Sequence, residues 1–302
     1  MKMKRTLIRP NGVLNSISEQ VVTPIMPSVV YASDSPDALD KQYEGEQKGY
    51  TYAREGHPNA EILALLIDKL EGSGSGLVVS SGMAAIASLI MGTLSSGDHV
   101  LGGSQLYGRT LRLMREDLPR FGMQTSFADP TNIQSVKNEV RKNTKMILIE
   151  CVSNPTLRVA DIEGIATLCK KNNILLAVDN TFTTPASIKP YEFGADFVIH
   201  SITKLLSGHS DTTLGYVSSK DKNKMEAIYN FSVSIGSTAS PFDCWLAERG
   251  LATFKLRFEK AQKNAQILAQ ALKQNSKVKK VLYPSLSEHP DISVSYTHLT
   301  LP

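Results

Sequence analysis

The sequence contains few cysteines, and they follow no pattern. Only Cys151, Cys169 and Cys244 occur among its 302 residues. A disulfide framework or a structural zinc site would need cysteines in pairs at close, regular spacing. The sequence therefore predicts buried or incidental thiols in a reducing compartment and gives no indication of a metal site.

The chain also lacks long apolar runs and an excess of charge of either sign. No apolar run approaches the roughly 20 residues of a membrane-spanning helix. No apolar segment follows the basic start Met1–Arg5, which argues against a secretory signal. Lysine and arginine number 33 against 29 acidic residues, and the net charge is +4 with the signs interspersed. We therefore expect a cytoplasmic protein with no membrane and no nucleic-acid partner.

The composition is that of an ordinary globular protein, with 41% apolar and 21% charged residues. Strand and helix patterns alternate from about residue 59 to 218. The strand patterns are short apolar runs, as is typical of strands buried on both faces of a parallel sheet. They occur near residues 77–79, 99–101, 146–149, 174–178, 197–199 and 214–217. This alternation predicts an α/β fold with a doubly wound, mostly parallel sheet.

Two of these runs end in polar residues. The first ends in Asp179-Asn180-Thr181 and the second in the segment His200–Lys204. Each has a common structural explanation, because an aspartate often caps a helix or turn and Ser-x-Thr-Lys is usually a loop. Ligands of open α/β sheets bind outside the carboxyl ends of the strands, so both polar segments should face one crevice. A lysine, a carboxylate and hydroxyls at adjacent strand ends are what pyridoxal 5'-phosphate (PLP) requires.

A third segment has the features of a binding site for the phosphate of such a cofactor. The sequence Val79-Ser80-Ser81-Gly82-Met83 is interpreted as a buried strand, a glycine turn and the start of a helix that runs to about Thr93. A helix start presents unpaired N–H groups and a partial positive charge, both of which favour phosphate. Such a junction is common on its own, so it supports the cofactor prediction only together with the two strand ends.

These motifs, with Gly208-His209-Ser210-Asp211, resemble the Cys/Met-metabolism (trans-sulfuration) family of PLP-dependent enzymes. The resemblance extends from about Pro24 to about Pro290. The family includes cystathionine γ-synthase, the cystathionine lyases, methionine γ-lyase and O-acylhomoserine sulfhydrylases. The resemblance implies the aspartate-aminotransferase-like (fold type I) architecture, with a seven-stranded sheet.

The resemblance also implies roles for individual residues. Lys204 would hold PLP covalently and act as general base, and Asp179 would keep the pyridine nitrogen protonated. Tyr107 would stack on the ring and take part in proton transfer. Ser201 and Thr203 would bind the phosphate through their hydroxyl groups.

Further site residues follow from the same resemblance. Gly82 and Met83 would supply backbone N–H groups to the phosphate. Asn154 would lie near the ring hydroxyl of the cofactor and the substrate carboxylate. Arg112 would hold a second, distal carboxylate, as in the branches of the family that handle cystathionine.

The N-terminal part of the chain implies a homo-oligomer. Tyr52 and Arg54 match a Tyr-x-Arg motif that reaches the phosphate in a neighbouring subunit's site, which requires at least a two-fold dimer and suggests a tetramer. The chain departs from the family pattern at His57 and Asn59, where Asn and Thr are usual. The family pattern therefore does not predict the geometry of this loop.

We expect four segments along the chain. Residues 1–56 would form an extended arm with little helix, and residues 57–240 the PLP-binding domain. Residues 241–292 would contain a linker helix and the start of a C-terminal domain that is cut short. Residues 293–302 match nothing expected of that domain and are interpreted as a non-native tail.

The leading functional hypothesis is cystathionine γ-synthase, which replaces the γ-substituent of an O-acylhomoserine with cysteine. Cystathionine γ- or β-lyase, methionine γ-lyase and O-acetylhomoserine sulfhydrylase are alternatives that use the same residues. Aminotransfer on the same fold is less favoured because of the Tyr-x-Arg motif. A non-catalytic, cofactor-binding scaffold is the alternative from a different functional class. In every enzymatic alternative the substrates are small amino acids.

Overall fold

The computed structural model describes residue 18 and residues 20–299. The start of the chain, where a secretory signal was argued against, and residues 300–302 of the expected tail lie outside this part. Seven strands form one sheet: β1 (Ser75–Val79), β2 (His99–Gly103), β3 (Gln124–Ala128), β4 (Thr144–Glu150), β5 (Leu175–Asp179), β6 (Phe197–Ser201) and β7 (Gly215–Ser219).

Eleven α-helices surround the sheet in the described part of the chain. They are α1 (Pro36–Tyr43), α2 (Pro58–Glu71), α3 (Gly82–Thr93), α4 (Gly108–Arg112), α5 (Ile133–Glu139), α6 (Ile162–Asn172), α7 (Thr184–Ser187), α8 (Lys222–Ile235), α9 (Pro241–Leu251), α10 (Phe254–Lys273) and α11 (Ile292–His298). A π-helical turn (Leu113–Asp117) and two 3₁₀ turns (Leu118–Phe121 and Pro190–Phe193) complete the helical structure.

The sheet is mostly parallel, as predicted. Its strand order is β1-β7-β6-β5-β4-β2-β3. Strands β2 to β6 pair in parallel, whereas β7 runs antiparallel to both β1 and β6. Strands β4, β5 and β6 lie at the centre, so their carboxyl ends open into one shared region of the molecule.

Successive side chains along the central strands point to opposite faces of the sheet, so the hydrophobic core has one part on each face. Leu148 and Ala177 pack with α3 and α8 on one face. Ile147 and Val178, one position away on the same strands, pack with α5 and α6 on the other. By the same period of two, Glu150, Asp179 and Ser201 belong to the α3 face. This places the predicted site residues beside the start of α3.

Local sequence explains where the helices begin and end. Side chains of Ser35, Ser81, Asn132, Asp161, Asp221 and Ser240 accept hydrogen bonds from backbone N–H groups in the first turn of the helix that follows each of them. Helices α2 and α8 end at Gly72 and Gly236, which adopt left-handed backbone conformations that glycine tolerates without a steric penalty.

The structure contains two helices that the sequence analysis does not predict. Within the N-terminal arm, Pro36–Tyr43 forms the eight-residue helix α1 behind the Ser35 cap. Residues Pro241–Leu251 form helix α9, which precedes the long helix α10. Gly250 in α9 lies in close contact with the turn after β6, since a Cβ atom there would lie 2.2 Å from the backbone oxygen of Ser207.

Among the described residues, no helix combines the length and the apolar character needed to cross a bilayer.

Strand β7 approaches the turn before α3 so closely that a side chain would not fit at Gly215. A Cβ atom there would lie 2.0 Å from the backbone oxygen of Ser81. We expect Gly215→Ala to lower the free energy of unfolding by about 1–3 kcal/mol, since backbone atoms must move to relieve the overlap. Chemical denaturation of the cofactor-free protein measures this loss.

Gly74→Ala is the matched control for this substitution. No atom lies within 4 Å of a Cβ built at Gly74. If both variants unfold at the same denaturant concentration, the close approach of β7 to Ser81 is wrong.

Candidate active site

A cavity opens at the carboxyl ends of the central strands. Its volume is about 310 Å³. Its lining comes from the turn before α3, the ends of β4, β5 and β6, and the loops that follow them. The lining residues are Ser81, Gly82, Met83, Ile86, Tyr107, Glu150, Val152, Asn154, Asp179, Thr181, Phe182, Ser201, Thr203, Lys204 and Thr213. Eight of the eleven residues predicted for the site therefore meet here.

Asp179 lies at the end of β5 and is held by the residue two positions after it. The backbone N–H of Thr181 donates to Asp179 Oδ1 at 3.0 Å, and the Thr181 hydroxyl donates to the same oxygen. The Thr181 hydroxyl oxygen also accepts the backbone N–H of Ser201 at 2.8 Å. Thr181 thus connects the ends of β5 and β6 and fixes the orientation of the carboxylate.

A second carboxyl group lies beside Asp179. Glu150 ends β4 and is the direct neighbour of Asp179 in the parallel ladder. Burial and then the nearby Asp179 raise the pKa of Glu150 to about 8, although hydrogen bonds from the backbone of Tyr107 and Asn154 act in the opposite direction. Burial also raises the pKa of Asp179, against the hydrogen bonds from Thr181. Burial and the neighbouring carboxyl group therefore favour the protonated form of Glu150 near neutral pH.

The start of α3 forms the opposite wall of the cavity. The Ser81 hydroxyl accepts the N–H of Ala84 at 3.0 Å, and the Ser81 carbonyl accepts the N–H of Ala85. Within the described chain, the N–H groups of Gly82 and Met83 have no protein acceptor. These two donors at the positive end of the helix dipole are suited to an anion.

Gly82 is required by the packing of this wall. A Cβ atom at Gly82 would lie 2.8 Å from Ser201 Cβ and 3.1 Å from Ser201 Cα. The first turn of α3 therefore touches the end of β6, three residues before Lys204. The anion-binding donors and the lysine are brought together by contact between backbones.

Lys204 lies in the turn that follows β6 and is exposed to the cavity. Its backbone N–H donates to the Ser201 carbonyl at 3.1 Å, and its carbonyl accepts the N–H of Gly208. The Thr203 hydroxyl accepts the N–H of Leu214 at 3.0 Å and donates to the Leu214 carbonyl at 3.2 Å. Thr203 thus ties the lysine turn to the segment before β7, and it also lines the cavity.

The opposite face of the same strand ends carries a buried polar network. His200 Nε2 is hydrogen-bonded to Glu71 Oε1, and both side chains are fully buried. Asn180 donates to Glu71 Oε1 at 2.9 Å and to the Ile188 carbonyl at 3.0 Å. These contacts attach α2 to the residues that follow Asp179 and precede Ser201. They hold both strand ends from behind the cavity.

Three residues predicted for the site lie elsewhere in this chain. Arg54 donates to the Val233 carbonyl at 3.1 Å and lies over the ring of Tyr52, with 5.5 Å between the guanidinium carbon and the ring centroid. Both residues line a separate cavity of about 770 Å³. Arg112 lies on α4 and pairs with Glu116 at 2.9 Å, outside the lining of the first cavity.

The two departures from the family pattern have structural roles here. His57 caps α2, because its Nδ1 accepts the N–H of Ala60 at 3.2 Å and its Nε2–H donates to the Ala239 carbonyl at 3.0 Å. Asn59 accepts the N–H of Met26 and donates to the Pro24 carbonyl, which attaches the N-terminal arm to α2.

The residues of the first cavity match the chemical groups of PLP. The cofactor has an anionic phosphate, an aldehyde, a flat ring and a ring nitrogen that can be protonated. The cavity offers free N–H groups at a helix start, an exposed lysine, an aromatic ring and a buried carboxylate. Glu150 Oε2 is buried and has no hydrogen-bond partner among the described residues, so the polar wall is incomplete without a bound group.

The sequence profile of a known family confirms this interpretation. The profile described as Cys/Met metabolism PLP-dependent enzyme matches residues 6–300. The chain belongs to this family.

Individual relatives within the Cys/Met metabolism family differ in activity. The chain is 43% identical over 241 residues to cystathionine beta-lyase MetC of Bacillus subtilis, which covers 80% of this chain and 62% of that enzyme. It is 36% identical over 286 residues to an L-methionine gamma-lyase of Fusobacterium nucleatum, covering 94% of this chain and 72% of that enzyme. It is 40% identical over 240 residues to a B. subtilis cystathionine gamma-synthase/O-acetylhomoserine (thiol)-lyase, covering 80% of this chain and 64% of that enzyme.

Solved structures of family members share the fold. The crystal structure of metB from Corynebacterium glutamicum superimposes with a TM-score of 0.88 at 36% identity, over 93% of this chain and 71% of that one. A structure from Campylobacter jejuni that carries N'-pyridoxyl-lysine-5'-monophosphate superimposes with a TM-score of 0.89 at 27% identity, over 93% of this chain and 78% of that one. The chain thus spans between about three-fifths and four-fifths of the length of these relatives.

Among the cavity residues that were not predicted for the site, Glu150 and Thr181 make hydrogen bonds that shape it. Glu150 ends β4 just as Asp179 ends β5, and this shared pattern was the available signal. Thr181 was noted as part of a polar segment, but its bridging position depends on the distance between β5 and β6. That distance is set only when the sheet forms.

The raised pKa of Glu150 predicts how the stability of the cofactor-free protein depends on pH. The pKa of Glu150 is about 8 in the folded protein, above its ordinary value of 4.5. The contribution of the Glu150 proton to folding is fully present below about pH 4.5 and is lost as the pH rises through about 8. We expect the free energy of unfolding to fall more steeply between these values in the wild type than in Glu150→Gln.

Urea denaturation at a series of pH values measures this difference. Other ionisable groups titrate in both proteins, so their effects largely cancel in the comparison. Parallel pH profiles for the two proteins would contradict the raised pKa of Glu150.

Proposed function

We propose that the protein to which this chain belongs is a PLP-dependent trans-sulfuration enzyme and that it acts as a cystathionine γ-synthase. In this reaction the thiol of cysteine replaces the acyloxy group of an O-acylhomoserine, giving cystathionine and a free carboxylic acid. The observation that carries the proposal is the meeting of Lys204, Asp179 and the free N–H groups of Gly82 and Met83 in one cavity.

Each of these residues has a role in the proposed chemistry. When bound, PLP supplies an electron sink for the electron pair released at the substrate Cα atom. Lys204 would hold the cofactor, and its amine would remove the Cα proton. Asp179, oriented by Thr181, would keep a proton on the ring nitrogen. The ring of Tyr107 would stack on the flat ring of the cofactor.

The remaining predicted residues would bind phosphate and substrate. Gly82, Met83, Ser201 and Thr203 line the cavity and would bind the phosphate. Asn154, which also lines the cavity, would contact the ring hydroxyl and the substrate carboxylate. Arg112 would bind a distal carboxylate after turning away from Glu116, to which it is joined only by an exposed ion pair.

Cystathionine lyase activity is the second candidate. It is supported by the 43% identity to cystathionine beta-lyase MetC of B. subtilis, and the same residues can serve it. Methionine γ-lyase and O-acetylhomoserine sulfhydrylase use the same residues as well. The presence of Arg112 favours substrates that carry a second carboxylate.

We further propose that the enzyme is a homo-oligomer whose subunits share active sites. Tyr52 is 39% exposed, and together with Arg54 it lies outside the cavity of its own chain. A two-fold dimer would allow both residues to reach the phosphate of a partner, and a tetramer would pair two such dimers. The three cysteines are free and buried, which is consistent with a reducing compartment such as the cytoplasm.

Lys204 is expected to carry the cofactor. Borohydride reduction of the protein with PLP should label the peptide that contains Lys204, and Lys204→Ala should lose the label. The substitution should lower kcat by about 10²–10⁴-fold, because it also removes the base. Lys142→Ala is the control, because Lys142 is exposed and lies just before the first residue of β4, away from the cavity. This variant should keep both the label and the kcat of the wild type. Unchanged labelling in Lys204→Ala would overturn the proposed site.

The substrate assignment is tested by comparing two reactions. The protein with PLP is incubated with O-succinylhomoserine plus cysteine, or with cystathionine alone. We expect cystathionine and succinate to form in the first reaction at a higher kcat/KM than any product of the second. Pyruvate or 2-oxobutyrate formed only from cystathionine would instead identify a lyase.

A further inference from the structure

Glu150 occupies a position in the cavity that the proposed chemistry does not use. It ends β4, next to Asp179 in the parallel ladder, and it lines the cavity. Strand β4 is flanked by β2 and β5, so the backbone of Glu150 is held from the interior of the sheet. A side chain anchored in this way can fix the position of a more mobile group.

Glu150 accepts a hydrogen bond from the backbone of Tyr107. The Tyr107 N–H donates to Glu150 Oε1 at 2.6 Å. Tyr107 directly precedes α4, and no side chain caps the start of that short helix. The ring of Tyr107 is 47% exposed, so it has little packing of its own to hold it. The hydrogen bond to Glu150 therefore constrains the backbone from which this ring projects.

The second oxygen of Glu150 strengthens the case for a specific role. Glu150 Oε2 is buried and has no hydrogen-bond partner in the described part of the chain. Leaving such an oxygen unpaired is unfavourable, and an apolar side chain of similar size at this position would avoid the cost. The carboxyl group instead supplies the acceptor for the Tyr107 N–H.

We propose that Glu150 is a positioning residue for the active site, holding the Tyr107 backbone so that its ring faces the bound cofactor. The proposal rests on the proposed function, since it assumes that PLP occupies the cavity. Glu150 acts through Tyr107 and does not need to touch the substrate. The acceptor oxygen and its reach from β4 are the features that matter, whereas the negative charge is not required.

Two conservative variants distinguish the length of the side chain at position 150 from its negative charge. Glu150→Gln keeps the length of the side chain and a carbonyl acceptor but removes the charge. Glu150→Asp keeps the charge but withdraws the acceptor by one methylene group. We expect Glu150→Asp to weaken PLP binding about tenfold more than Glu150→Gln, since only Asp leaves the Tyr107 N–H without its acceptor. PLP affinity is measured by titration of visible absorbance and circular dichroism.

A double-mutant cycle tests whether the effect passes through Tyr107. We expect Glu150→Asp to weaken PLP binding about tenfold in the wild-type background and less than about twofold in a Tyr107→Ala background. An equal loss in both backgrounds would overturn the proposal, because a general structural defect does not depend on the ring. A greater loss in Glu150→Gln than in Glu150→Asp would also overturn it, since charge would then be decisive.

Two controls make the outcome interpretable. Glu163→Gln changes an exposed glutamate on α6, outside the cavity, and should leave PLP affinity unchanged. Urea denaturation of each cofactor-free variant shows whether it is folded. If the wild type itself fails to bind PLP, the proposed function is wrong. If the wild type binds PLP and the two Glu150 variants bind it equally well, only the role of Glu150 is wrong.

Discussion

The contact between the first turn of α3 and the ends of β6 and β7 is the constraint on which the site depends. Gly82 lies against Ser201, and Gly215 lies against Ser81, with no room for a Cβ atom at either glycine. This contact fixes the free N–H groups of the helix start relative to the lysine turn. The separation between the anion-binding donors and Lys204 is therefore set by rigid backbone, which is the arrangement that preorganised binding requires.

The alternation of side chains along the strands distributes the polar groups between two faces. Glu150 and Asp179 lie on the α3 face with the cavity, whereas Asn180 and His200 lie on the opposite face. The second pair forms hydrogen bonds with Glu71, although Glu71 Oε2 and His200 Nδ1 have no partner among the described residues. The cavity face carries two carboxyl groups whose pKa values are raised by burial, and Glu150 Oε2 is buried there without a partner. A cationic ring nitrogen beside Asp179 would favour the charged form of this carboxyl group.

Much of this arrangement could be predicted, and the exceptions have physical reasons. The apolar runs and the polar residues after them located the sheet and placed Asp179 and Lys204 at one edge, as the structure confirms. Glu150 was missed although it follows the same pattern, because its register with Asp179 depends on a ladder between distant segments. Helix α9 was not predicted, and the close contact of its Gly250 with Ser207 exists only in the folded protein.

The sequence by itself determined the chemistry of the side chains and the local backbone preferences, because both depend on residues close together along the chain. It therefore identified the lysine, the carboxylate and the helix start that suit PLP, together with the family to which they belong. Only the tertiary structure decided that Glu150 faces Asp179 and reaches Tyr107, and that Arg54 lies outside its own cavity. These distances depend on strand register and close packing between remote segments, which local sequence does not encode.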